Sequence, residues 1–194
     1  MKEITLSINL GLIGTEDSRL EIFIDYLKER ALKFTSENLI YEFFLQKEGI
    51  IIKLRIAIVN KFEDLIHRRD KFKHFDVIIV AVNLYNSDSI SNYTVQSYSD
   101  FRNFFIFNGI TILVGVDTFL IVQKEPPNQK NVTEFNLIQK TKELNFLYCY
   151  KIQDKKKDIP DLFNQILNYI DLKLKFLNPE LFKRTRLNRE LFNR

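Results

Sequence analysis

The chain has 194 residues, 45% hydrophobic and 28% charged, with a formal net charge of +4. These values fit one globular domain with a substantial core, and no apolar run approaches the ~18 residues of a transmembrane helix. Nor does the charge describe a nucleic-acid-binding face: Asp171 to Arg194 holds seven basic and three acidic residues, so the preceding part is neutral. The single cysteine, Cys149, excludes an internal disulfide and reads as a buried, inert thiol. The lone cysteine suits a reducing compartment and Met1-Lys2-Glu3 shows no signal-peptide pattern; the expected compartment is the cytoplasm.

In chain order, the apolar run from Glu3 to Leu10 predicts a strand, and Arg19 to Lys33 an amphipathic helix. Leu39 to Gln46 and Ile50 to Val59 read as two strands whose link, Lys47-Glu48-Gly49, is short enough only for an antiparallel hairpin. A helical segment from Glu63 to Lys73 precedes the β-branched strand Val77 to Val82, and the Ser/Asn-rich stretch Asn83 to Asn92 reads as a loop. Thr94 to Phe107 has helical spacing, and Ile110 to Val114 is a buried strand. Pro126-Pro127 marks a surface loop before a helix from Val132 to Leu144. The last strand is Phe146 to Ile152 and the last main helix Ile159 to Leu174. The expected fold is α/β: a six-stranded mixed sheet, one strand antiparallel, flanked by five helices.

The first strand runs into Gly11-Leu12-Ile13-Gly14-Thr15-Glu16-Asp17-Ser18. A phosphate-binding loop reads G-x-x-x-x-G-K-[ST], its glycines letting the backbone wrap the phosphates and its lysine reaching their oxygens. Gly11 and Ser18 occupy the end positions of that pattern, but Glu16 replaces the second glycine and Asp17 the lysine. Two adjacent acids repel a polyphosphate. A plainer reading accounts for the same residues: Ser18-Arg19-Leu20-Glu21 fits a helix capping box, and Gly11 and Gly14 permit a strand-to-helix turn.

From Glu3 to Lys173 the order of elements and several motifs resemble the Ras-like small GTPases. Gly49-Ile50-Ile51-Ile52-Lys53-Leu54-Arg55-Ile56-Ala57 is similar to the family's G-x-x-x-K-L-x-I-W run. Ile78-Ile79-Val80-Ala81-Val82-Asn83 with Ser89-Ile90 resembles I-I-V-V-Y-D and the following E-S-F, and Ile112-Leu113-Val114-Gly115 resembles the L-L-V-G before N-K-x-D. The resemblance implies a nucleotide site, yet the residues that would serve it are replaced. Ile58 stands for the aspartate of the Mg²⁺ shell, Lys61 for the γ-phosphate glycine and Phe62 for the glutamine that orients water. Val116-Asp117-Thr118-Phe119 stands for N-K-x-D, and Gln153-Asp154-Lys155 keeps only the lysine of S-A-K.

The resemblance therefore implies a pseudo-GTPase: a protein-interaction or scaffold subunit with no catalytic residue, no metal site and no cofactor. Its vestigial nucleotide site would be Gly11, Gly14, Thr15, Asp17, Ser18, Asp117 and Lys155. The alternative is a divergent GTPase or nucleotide sensor that binds GTP or GDP with Mg²⁺. Exposed Phe62, Leu65 and Ile66 would be contacts for a protein partner, by resemblance a roadblock- or longin-type domain or a second GTPase-like subunit. His67 and His74 read as parts of a solvated face.

The domain is expected to span 1–173 and a basic helical tail 174–194. In that tail Leu181, Phe182, Leu187, Leu191 and Phe192 interleave with Lys183, Arg184, Arg186, Arg189 and Arg194. Docking of the tail onto the domain is favoured over contact with an anionic membrane, and no nucleic-acid partner is expected.

Overall fold

The β-branched runs along the chain build the centre of the molecule. In the computed structural model, which describes residues 5–47, 50–121, 131–177 and 179, the strands are β1 (Thr5–Ile13), β2 (Lys33–Glu37), β3 (Ile40–Lys47), β4 (Ile50–Val59), β5 (Val77–Asn83), β6 (Ile110–Val116) and β7 (Tyr148–Ile152). They form one seven-stranded sheet of order β2-β3-β4-β1-β5-β6-β7. β4, β1, β5, β6 and β7 are parallel, while β2 and β3 pair antiparallel at one edge. β5 and β6 are buried at every position, as strands covered on both faces are.

Seven helices are present among the described residues: α1 (Glu21–Lys28), α2 (Phe62–Ile66), α3 (Asp88–Ser91), α4 (Val95–Phe105), α5 (Thr118–Ile121), α6 (Glu134–Glu143) and α7 (Asp158–Leu177). Alternate side chains of the sheet divide between two cores. Leu10, Leu12, Ile79 and Ile112 meet α1 through Phe23 and Leu27, and α7 through Leu162 and Ile166. On the other face Ile13, Ile78, Val80 and Leu113 meet α2, α4 and α6 through Phe62, Phe101 and Leu137. The result is a three-layer α/β domain, compatible with a P-loop-like fold.

The expected hairpin is present, with β3 and β4 paired from Ile40–Ala57 to Lys47–Ile50. Three expectations are corrected. The sheet has seven strands rather than six, because the first helix stops at Lys28 and Lys33–Glu37 turns back as the edge strand β2. Every residue of β2 is exposed, so it carries no burial alternation for a sequence to display. Among the described residues helices number seven rather than five, since α3 and α5 are four residues each, too short for a periodic signal. The helix expected from Glu63 to Lys73 contracts to Phe62–Ile66, after which turns lead to the stacked pair Phe72 and Phe75.

Helix α7 runs past the expected domain limit at 173, to Leu177. The readings of 178 and 180–194, of Glu48-Gly49 and of Pro126-Pro127 lie outside the described residues. Cys149 is half-buried on β7 rather than fully enclosed.

β2 and β3 are joined by Asn38 and Leu39, at φ 50° and 61°. Two successive residues with positive φ are what a two-residue hairpin turn of type I′ needs, and the favoured sequence for it is Asn-Gly. Leu39 is 56% exposed, so little packing compensates its left-handed backbone. Leu39→Gly should therefore stabilise the protein by about 1 kcal/mol and raise Tm by about 2–4 °C. A lower Tm in a thermal melt of this variant would contradict that account of the turn.

Candidate functional site

In an open parallel sheet, ligands collect beyond the carboxyl ends of the strands, near the point where strand order reverses. Here that region lies beyond β1, β5 and β6. Gly11, Leu12 and Ile13 do not leave the sheet to form a loop. They continue β1, in register with Ala57, Ile58 and Val59 of β4 and with Ile78, Ile79 and Val80 of β5. A Cβ at Gly11 would come within 2.6 Å of Ile78 Cδ1 and 3.0 Å of Leu65 Cδ1, so those side-chain ends would have to shift. Gly14 follows, its N–H donating to the Val59 carbonyl at 3.0 Å, with Leu20 and the Ala81 carbonyl where a Cβ would stand. The expected eight-residue cradle is reduced to a turn at Gly14 and Thr15.

Glu16–Ser18 then form one 3₁₀ turn, closed by the Ser18 N–H donating to the Thr15 carbonyl at 2.9 Å. Arg19 follows in the left-handed conformation, φ 56°, and separates this turn from α1. The capping-box reading of Ser18 to Glu21 is corrected by this geometry. α1 begins at Glu21 with no side-chain cap, and Ser18 is fully buried with its Oγ 3.1 Å from Thr15 Oγ1. A capping box does occur elsewhere, at Thr133 and Asn136 on α6.

Asp17 turns inward and organises the ends of the strands. Its carboxylate accepts from Thr15 Oγ1, from Asn86 Nδ2 at 2.7 Å and from Asn83 Nδ2 at 3.2 Å. Partial burial works against ionisation, but these hydrogen bonds outweigh it and hold the carboxyl below its usual range. Asn83 spends its other amide atom accepting from the Tyr85 N–H at 3.0 Å and Thr118 Oγ1 at 3.1 Å. Ser89 Oγ lies 2.6 Å from the Asn86 carbonyl and 3.1 Å from that of Asn83. Beside this network the Tyr93 ring is buried against Phe62, and burial together with the Asp17 charge pushes its phenol well above the ordinary value.

Asp117 is also fully buried, at the end of β6. Its N–H donates to the Ile152 carbonyl at 2.8 Å, and its Oδ1 accepts from the Leu120 N–H at 3.1 Å, capping α5. Burial, the Asp117 charge and a hydrogen bond to Asp117 raise the Tyr85 phenol. Phe119, which the resemblance sets in the position of a base-reading carboxylate, turns its ring edge-on to Tyr85 at 4.6 Å. Lys155 is exposed on the turn before α7. Thus Thr15, Asp17 and Ser18 are brought together and Asp117 stands at the end of β6, while Gly11 is a strand residue. Asn83, Asn86, Ser89, Thr118 and Tyr93 complete the cluster; the sequence places Asn83, Ser89 and Thr118 only within resembling motifs, and none of the five is expected from it as a site residue. For Asn83, Asn86 and Ser89 the signal was the run of Asn and Ser at the end of a fully apolar strand; Thr118 and Tyr93 lie outside that run.

The partner-contact candidates need correction as well. Phe62 is 1% exposed and Leu65 is fully buried, so neither offers a surface; only Ile66 is half-exposed. In α2 the two residues fall one turn apart and both face the sheet. Phe62 meets Tyr98 at 5.2 Å, Phe101 at 5.5 Å, Tyr93 at 6.1 Å and Phe146 at 6.5 Å between ring centres. His67 is exposed, and His74 Nε2 lies 3.3 Å from Asn9 Nδ2 and 3.7 Å from Asp76.

No protein-family model matches the chain, and no curated protein matches it significantly. Among the described residues no helix is long and apolar enough to cross a membrane.

Proposed function

We propose that this chain is a degenerate member of the Ras-like small GTPases, a pseudo-GTPase. It acts as a protein-interaction or scaffold subunit and binds little or no nucleotide. The sheet order supports the family reading: beside β2 lie an antiparallel hairpin strand and five parallel strands, the arrangement the resemblance implies. The observation that carries the functional reading is the Asp17 cluster. The chain stays in the sheet through Ile13, and the carboxylate in the lysine's position is held ionised by three neutral donors from its own domain. Two of the loop's backbone amides, those of Gly14 and Ser18, donate to Val59 and Thr15 rather than standing open to a phosphate.

A polyphosphate entering here would meet a fixed negative charge and lose the lysine contact, a charge-assisted interaction worth about 1.5–3 kcal/mol. With Phe62 and Leu65 in the core, a protein partner would dock on other exposed apolar residues, which the described part of the chain offers at Leu32 and Leu39 and, elsewhere, at Ile106, Phe135 and Leu147. Thermal melts with GTP and Mg²⁺ test the nucleotide part. A working site at a thousand times its Kd would add about 4 kcal/mol, or about 8–16 °C. The expected shift is none.

A further inference from the structure

β2 is the outer strand of the sheet. One side pairs with β3 from Lys33–Phe44 to Glu37–Ile40, and all five of its residues are exposed. Such an edge offers a row of open N–H and C=O groups to any chain that can pair with it. Charged residues on an edge ordinarily block pairing, but here their signs and spacing select one partner. Laid antiparallel against itself about Thr35, the segment Lys33-Phe34-Thr35-Ser36-Glu37 puts each Lys33 opposite a Glu37, each Phe34 opposite a Ser36 and Thr35 opposite Thr35. Opposite charges and Thr–Thr pairs are favourable cross-strand neighbours, and the two Phe34 rings become diagonal neighbours within reach of each other. A slip of one residue loses both charge pairs.

We propose that the chain self-associates through this edge, β2 pairing antiparallel with β2 of a second copy about a two-fold axis at Thr35. The faces agree with the register. Phe34 lies on the α1–α7 face, stacked on Phe43 at 6.1 Å, and Phe43 in turn stacks on Tyr41 at 6.2 Å. A second copy continues this aromatic row across the axis and covers Phe34, which is 45% exposed in the single chain. Lys33 and Glu37 lie on the opposite face, and neither forms an ion pair with a described residue of its own chain. The pairing uses no residue of the Asp17 cluster and does not depend on the nucleotide reading.

Sedimentation equilibrium of the full chain, from micromolar to millimolar concentration without nucleotide, tests the proposal. The wild type is expected to dimerise. Lys33→Glu and Glu37→Lys each place like charges opposite one another in both symmetry-related pairs, and each should weaken the dimer about tenfold or more. Mixing the two variants restores opposite charges at every pair, so the mixture should return to near wild-type affinity as a heterodimer, as should the double variant K33E/E37K. Circular dichroism checks that these exposed substitutions leave the fold intact. A wild type that stays monomeric throughout, a dimer indifferent to both single variants, or a mixture that fails to recover would each overturn the proposal.

Discussion

Phe62→Ala is expected to lower stability by about 3–5 kcal/mol, the usual cost of emptying an aromatic site in a packed core. The ring lies at the junction of α2, α4 and the loop that enters β7, with four aromatic neighbours between 5.2 and 6.5 Å. Its removal takes away apolar burial and several edge and tilted ring contacts at once. Because a domain of this kind has only about 5–15 kcal/mol to lose, the variant should melt well below the wild type or express poorly. The experiment also separates two roles for the residue. A partner contact would lose binding with stability unchanged, whereas the core residue seen here loses stability first. Urea denaturation midpoints of wild type and variant decide the matter; a difference below about 1 kcal/mol would contradict the buried position.

Asp17→Asn should cost about 1.5–3 kcal/mol at neutral pH, because the amide cannot replace a charged acceptor of three hydrogen bonds. It also turns a donor toward Asn83 and Asn86, which are donors themselves. The effect carries a pH signature. The folded-state carboxyl is held below its usual value, so Asp17 contributes stability above the unfolded value near about 4 and loses it as pH falls through the lower folded value. The gap between wild type and variant should therefore be full at pH 7 and shrink below about pH 4. Part of the wild-type acid sensitivity will remain in the variant, since Glu42 is also held low by Lys53 and Arg55, which outweigh its burial. A gap that does not change between neutral and acid pH would count against the ionised network.

The central strands were legible because a sheet covered on both faces writes itself as continuous apolar runs, as in Val77 to Val82 and Ile110 to Val114. The β3–β4 hairpin was legible because its link is too short for anything else. β2 was not, since a fully exposed edge strand has only its propensity to show, and Asn38-Leu39 lacks the glycine that marks such a turn. The glycine at 11 misled in the opposite direction. It suggested a loop, while the apolar residues on either side, Leu10, Leu12 and Ile13, belonged to a strand in which a Cβ at 11 would press on the ends of the Ile78 and Leu65 side chains. The substitution at Asp17 was visible in the sequence, but its partners were not: Asn83 and Asn86 stand 66 and 69 residues away and meet it only once β1 and β5 are adjacent.

In the function proposed here, the fold keeps the frame of a nucleotide-binding domain and has closed the site itself. The most direct measurement is the nucleotide content of the freshly purified chain, released by denaturation and separated by ion-pair chromatography. The account predicts near-zero guanine nucleotide per chain. Stoichiometric GTP or GDP would contradict it, and would require that the Asp17 cluster open and its charge be neutralised when nucleotide binds.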